Sequence, residues 1–171
     1  EEQGIWPVWK HFPGHGATAG DTHEGFAYTD QTLEELWEEE LLPFRNAVEA
    51  GADCVMAAHI AVPAVTGDDT PASLSETMID EILRQKMGFE GVVVTDALNM
   101  GAIQDHYSSG EAAVKALKAG ADLLLMPSDF HKAKEAVAAA VGNGELSQER
   151  IDQSVIRIGI MKLKRQQYEE K

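Results

Sequence analysis

Three short runs of uninterrupted apolar residues, Cys54-Val55-Met56-Ala57-Ala58, Val92-Val93-Val94-Thr95 and Leu123-Leu124-Leu125-Met126, are separated by stretches whose apolar residues recur at helical spacing. A strand with one wet face alternates apolar and polar residues, whereas a continuous run of this length is buried on both faces. Such strands divided by amphipathic helices imply βα units around a parallel sheet. Helical patterns run from about Ser75 to Met87 and from about Glu111 to Ala119, stopped by Gly88 and Gly120. Two more run from about Phe130 to Val141 and from about Gln148 to Tyr168, with Ser147 as the N-cap candidate of the last. Upstream, Thr32-Leu33-Glu34-Glu35 is a capping-box pattern opening a helix that continues to Gly51, kinked or restarted at Pro43.

The apolar, aromatic Ile5-Trp6-Pro7-Val8-Trp9 supplies a first strand, although Pro7 forfeits a ladder donor. An internal echo supports the repeat: Ala50-Gly51-Ala52-Asp53 and Ala119-Gly120-Ala121-Asp122 each stand between a helix end and a strand start, two βα units apart. The unit length suits a (β/α) barrel, and the chain of 171 residues supplies about four of its strands, with helices outside. Four strands leave open edges and an uncovered inner face.

Between the first strand and the first helix lies Lys10-His11-Phe12-Pro13-Gly14-His15-Gly16-Ala17-Thr18-Ala19-Gly20-Asp21-Thr22-His23, which concentrates three histidines, a lysine, an aspartate and three glycines. Its glycines and proline forbid a regular helix, so the polar groups are presented from a tight turn. In locally extended backbone Asp21 and His23 share a side, and a carboxylate beside an imidazole fixes its tautomer and stabilises its protonated form. Lys10 and His11, His59, and Asp96 each fall just past the carboxyl end of an expected strand, where barrel enzymes place their chemistry.

These two stretches, Lys10 to Gly16 followed by Asp21-Thr22-His23, and Gly91-Val92-Val93-Val94-Thr95-Asp96-Ala97-Leu98-Asn99-Met100, together resemble glycoside hydrolase family 3, in its β-N-acetylglucosaminidase branch. The resemblance covers nearly the whole of residues 1–171 but matches only the C-terminal half of the family's (β/α)8 TIM barrel, a partial catalytic domain of the N-terminal type. It implies that Asp96 is the nucleophile, that His23 is the acid/base with Asp21 supporting it, and that Lys10 and His11 bind sugar hydroxyls. His59, at a strand end beside them, is a further substrate-binding candidate. Two positions depart from the family pattern, Ala17 and Ala97, where the family often has Asp; neither carries a role in that chemistry. The implied reaction is retaining hydrolysis of a terminal β-linked N-acetylglucosamine, as in muropeptides or chitooligosaccharides, with no cofactor and no metal.

Fourteen Lys plus Arg against 29 Asp plus Glu leave a net charge of −15, which argues against a nucleic-acid partner. No apolar stretch reaches membrane-spanning length and the start is no signal peptide; the compartment is left unknown, with a soluble protein, cytoplasmic or secreted in a bacterium, as the expectation. The lone Cys54 reads as a core residue, and His106 and His131 as surface residues. Two rivals stand beside the glycosidase: a non-catalytic half-barrel that assembles with a missing N-terminal half or with itself, and a metal-dependent hydrolase using His11, His15, Asp21, His23 and Asp96 as ligands.

Overall fold

The computed structural model describes residues 5–16, 18 and 27–169, with side chains through 164. Its centre is a three-stranded parallel sheet of β1 (Trp9–Phe12), β3 (Cys54–Ala57) and β5 (Val92–Thr95), adjacent in that order. β3 and β5 run in unbroken register from Cys54↔Val92 to Ala57↔Thr95, whereas the β1–β3 register shifts between Trp9 and Phe12. A separate two-residue parallel pair joins β2 (Ala27–Tyr28) to β4 (Ile60–Ala61), too short to leave an alternation in the sequence.

The first strand lies further along the chain than residues 5–9. Pro7 cannot donate to the ladder, and Phe12, fully buried and edge-on to Phe44 at 5.4 Å, anchors the later segment instead. Lys10 and His11 are therefore inside β1 and not beyond it. The Leu123–Met126 run follows β5 in the expected parallel sense but forms only the single bridge Val94↔Leu123. The ladder stops because the Leu125 amide donates to the Thr95 hydroxyl at 3.1 Å, displacing the backbone partner it would have in a strand.

The helices are α1 (Leu33–Glu38), α2 (Leu42–Glu49), α3 (Pro63–Thr66), α4 (Gly101–Gln104), α5 (Ser109–Ala119), α6 (Phe130–Gly142) and α7 (Gln148–Glu169). Thr32 and Glu35 close a capping box on α1, and Pro43 sits in the first turn of α2, so it restarts the helix. Ser108 and Glu111 cap α5 in the same way, and the Ser147 hydroxyl accepts from the Arg150 amide at the start of α7. The segment Thr77–Lys86 is wound as a π-helix.

Alternation along the strands divides the core. Val55, Ala57 and Val93 face Phe44, Ile79, Leu83, Ala112 and Ala116 in the main cluster. Cys54, Val92 and Val94 face the other way and meet Ile158 and Met161 of α7. The second face of the sheet is thus not bare: the final helix covers it, because its Ile158 and Met161 lie one turn apart and point the same way. Burial, with Asp122 and Asp53 nearby, pushes the Cys54 thiol up to about 11 and keeps it protonated. His106 and His131 are exposed.

Both aspartates of the sequence echo are held by α7. Asp122, its side chain wholly buried, accepts from Arg84 (2.7 Å), Ser154 (2.6 Å), Arg157 (3.1 Å) and the Val93 amide (2.9 Å), with Arg150 at 3.5 Å. Asp53 pairs with Lys164. These contacts lie at the amino ends of the strands, the face where barrels keep their stabilising interactions.

Candidate active site

At the opposite, carboxyl end, the chain leaves β5 at Asp96. Its amide donates to Ala57 O at 2.8 Å, extending the β3–β5 ladder by one bond, and the Ala58 amide does the same to Phe12 O at 2.8 Å. Strand ends of three neighbours are thereby levelled, and His11 and Asp96 meet across β3. The Asp96 carboxylate accepts the Ala97 amide through Oδ1 at 2.8 Å, while Oδ2 faces His11 Nε2 at 3.8 Å. The two side chains remain 19% and 30% exposed, enough to be reached by a ligand from the open side.

At 3.8 Å the His11–Asp96 pair is too long for a hydrogen bond. Burial lowers the proton affinity of His11 more than the attraction of Asp96 raises it, and the charges of Lys10 and His15 lower it further. His11 is therefore a neutral ring that can donate or accept, not a cation that neutralises the carboxylate. His15 stands edge-on to His11 at 5.9 Å between centroids. Its Nδ1 lies 2.9 Å from the Thr18 hydroxyl, whose own proton goes to the His15 carbonyl, so Nδ1 is the ring's donor there.

The turn that carries these rings depends on Gly14. Its φ is +137°, and a Cβ there would stand 2.7 Å from the Glu40 Cβ, so any larger residue would collide with the α1–α2 junction beneath the loop. Asp21 and His23 lie outside the described residues.

His59 sits lower. It is fully buried, with Nδ1 2.7 Å from the Ser73 hydroxyl and Nε2 2.9 Å from Ala97 O. Because a carbonyl only accepts, Nε2 carries the proton and Nδ1 accepts from Ser73. Burial lowers the proton affinity of His59 against the pull of the Ala97 carbonyl and Asp96, so the ring is neutral. The structure brings Asp96 and His11 together, leaves Lys10 exposed on the same strand, and puts His59 beneath the surface they form. Ser73 and Thr95 were not singled out by sequence. Thr95 ends a valine run and looks like strand filler, and Ser73 belongs to an irregular stretch with no periodicity to mark it. Among the described residues, no three His, Cys, Asp or Glu side chains are gathered closely enough to hold a metal ion.

A family profile described as "Glycosyl hydrolase family 3 N terminal domain" matches residues 1–161. Beta-hexosaminidase LpqI of Mycobacterium tuberculosis is 38% identical, over 94% of this chain and 43% of that protein. Beta-hexosaminidase A of Pseudoalteromonas piscicida is 32% identical, over 96% of this chain and 31% of that protein. Among solved structures, a glycoside hydrolase family 3 β-N-acetylglucosaminidase from Paenibacillus sp. FPU-7 superposes with a TM-score of 0.92 at 45% identity, covering 95% of this chain and 31% of the other. The chain thus spans between about a third and under half of the curated relatives it matches.

Proposed function

From the premise that this chain belongs to glycosyl hydrolase family 3, we propose that it carries the nucleophile side of a retaining β-N-acetylglucosaminidase. The observation that carries this reading is Asp96 itself: a half-buried carboxylate at the mouth end of a buried parallel strand, facing a neutral histidine across the neighbouring strand end. In the reaction, an Asp96 oxygen forms a bond to the anomeric carbon as the bond to the leaving oxygen breaks, and His23 gives that oxygen a proton. Water then attacks the glycosyl-enzyme, losing its proton to His23 and restoring the Asp96 carboxylate. Asp21 holds the His23 tautomer and stabilises its charged form. Lys10 and His11 engage sugar hydroxyls.

The substrate is a terminal β-linked N-acetylglucosamine on an oligosaccharide or muropeptide, in keeping with the hexosaminidase names of the relatives. The fold is the C-terminal half of a (β/α)8 barrel, and residues 1–171 are one partial catalytic domain. A second reading, assembly through the edge strand and the outer side of α7, is favoured by Trp9 on the edge strand and by Ile156, Ile160 and Leu163 in a row on α7, all 41% exposed or more. On this account the isolated chain associates, with itself or with a missing half-barrel, and is a weak catalyst or none. Among the described residues no helix is long and apolar enough to cross a membrane.

Sedimentation combined with turnover of a chromogenic aryl N-acetyl-β-glucosaminide tests both. Self-association with slow turnover that adding an N-terminal half-barrel restores is the expected result. A monomer with full turnover refutes the half-barrel account, and no covalent sugar on Asp96 under any of these conditions refutes the glycosidase.

A further inference from the structure

We propose that His59, with Ser73 behind it, is a positioning residue for Asp96 that acts from beneath the site by fixing the peptide group just beyond the carboxylate. The proposal rests on the reading of Asp96 as nucleophile, and it follows from where the amides of residues 96–98 and the Ala97 carbonyl are bound. The Asp96 amide is held by Ala57 O at 2.8 Å. The Ala97–Leu98 peptide is held at both ends, its carbonyl by His59 Nε2 at 2.9 Å and by the Met100 amide at 3.1 Å, and its amide by Leu125 O at 2.9 Å. Between these two clamps lies only the Asp96–Ala97 peptide, and its amide is the donor that fixes Asp96 Oδ1 at 2.8 Å. The orientation of the carboxylate therefore depends on the plane that His59, Leu125 and the Met100 amide hold together, and of these His59 is the one that acts through a side chain.

The imidazole suits this task only in one form. Neutral and protonated on Nε2, it donates to Ala97 O while accepting from Ser73 Oγ at 2.7 Å, so both ring nitrogens are satisfied in a site with no solvent exposure. A second proton would cost the Ser73 donation and set a positive charge beneath Asp96, opposing its attack on carbon. Ser73 is itself fully buried and anchored by its amide to Ala58 O at 3.0 Å, next to His59 in the chain. The result is a relay from Ser73 through His59 to the Ala97 carbonyl, and thence to Asp96, with Ser73 and His59 both buried. Reactive groups depend on such support because a displacement of about 1 Å can cost on the order of 10²-fold in rate.

Two substitutions separate positioning from packing. In His59→Gln the amide nitrogen reaches the place of Nε2, so the bond to Ala97 O survives. In His59→Asn the amide nitrogen reaches only the place of Nδ1, so that bond is lost. With the chain in excess over an aryl N-acetyl-β-glucosaminide, His59→Asn should slow sugar transfer to Asp96 on the order of 10²-fold at unchanged half-saturation, and His59→Gln should recover most of that rate. Rates that instead fall in proportion to melting temperature in both variants overturn the proposal. A second readout needs no turnover: in NMR spectra of the labelled chain the Asp96 carboxyl carbon and the Ala97 amide should move in His59→Asn and stay in His59→Gln. Resonances unmoved in His59→Asn also overturn it. If neither variant folds, Ser73→Ala keeps the ring but removes the donor to its Nδ1; it should give a smaller shift of the same resonances, and no shift counts against the relay. Wild-type chain that shows the resonance contrast but never carries sugar on Asp96 retires the nucleophile while supporting the clamp.

Discussion

Asp96 and Asp122 stand on adjacent segments of one parallel fold, at opposite ends, and their surroundings differ in kind. Asp122 is sealed: no part of its side chain is exposed, and its two oxygens share one backbone amide, one hydroxyl and the guanidinium groups of Arg84 and Arg157, with Arg150 close by. Asp96 is left open, with one backbone amide on one oxygen and a neutral ring 3.8 Å from the other. A buried carboxylate that loses a partner leaves charge uncompensated, so a saturated one belongs to stability. An accessible carboxylate with unused acceptor capacity can still make a bond to something that is not yet there. On the proposed reading, the same residue type serves the framework at the amino ends of the strands and chemistry at their carboxyl ends.

The sharpest test of this contrast exchanges the two removals. Asp96→Ala should abolish turnover, by on the order of 10⁴-fold or more, while leaving the urea midpoint nearly unchanged. Asp122→Ala should do the reverse, lowering stability by about 3–5 kcal/mol through the stranded Arg84 and Arg157 charges. If Asp96→Ala instead destabilises and Asp122→Ala only slows the reaction, the division between the two ends is wrong.

A pH series sharpens the upper end. Burial lowers the proton affinity of both His11 and His59 on folding. The unfolded chain therefore takes up protons that the folded chain refuses once the pH drops below the ordinary histidine value of about 6.5. Their contribution is complete above that value and declines as the pH falls below it toward the lowered folded-state values. Urea midpoints should show this decline, and His59→Gln should make it shallower. An unchanged slope in His59→Gln would mean that His59 is not the neutral, buried ring described.

The smallest effect belongs to the other aspartate of the echo. Lys164 is half exposed, so Lys164→Met should cost below about 1 kcal/mol despite its contact with Asp53. A loss rivalling that of Asp122→Ala would show that the lower end is held as one network and not by the buried centre alone.

What could be read in the sequence followed from periodicity. Val92–Thr95 and Cys54–Ala57 are buried on both faces, so their runs are unbroken and their positions came out of the pattern directly. Trp9–Phe12 did not, because its burial falls on one residue, Phe12, and its neighbours carry Lys10 and His11. The two-residue β2 and β4 are shorter than any period. The face that α7 covers depends on which way Ile158 and Met161 point in three dimensions, and a helical pattern predicts a stripe without saying what meets it. In the site, Asp96 was legible because a polar residue directly after a buried strand has few other reasons to be there. His59 was legible as a strand-end residue, but its burial was not, since the chain turns under the sheet after Ala57 and brings Ser73 back to it.

The grip of α7 on both echo aspartates also sets an order of events during synthesis. When Asp122 leaves the ribosome, Arg84 is the one cation of its cluster already made; Arg150, Ser154 and Arg157 come later, and Lys164, the partner of Asp53, later still. A nascent chain halted before residue 150 holds β1, β3 and β5 over carboxylates still short of partners, with Cys54, Val92 and Val94 still lacking their cover. The last helix is thus a latch, and the interval before it emerges is the period when this fold most needs a chaperone.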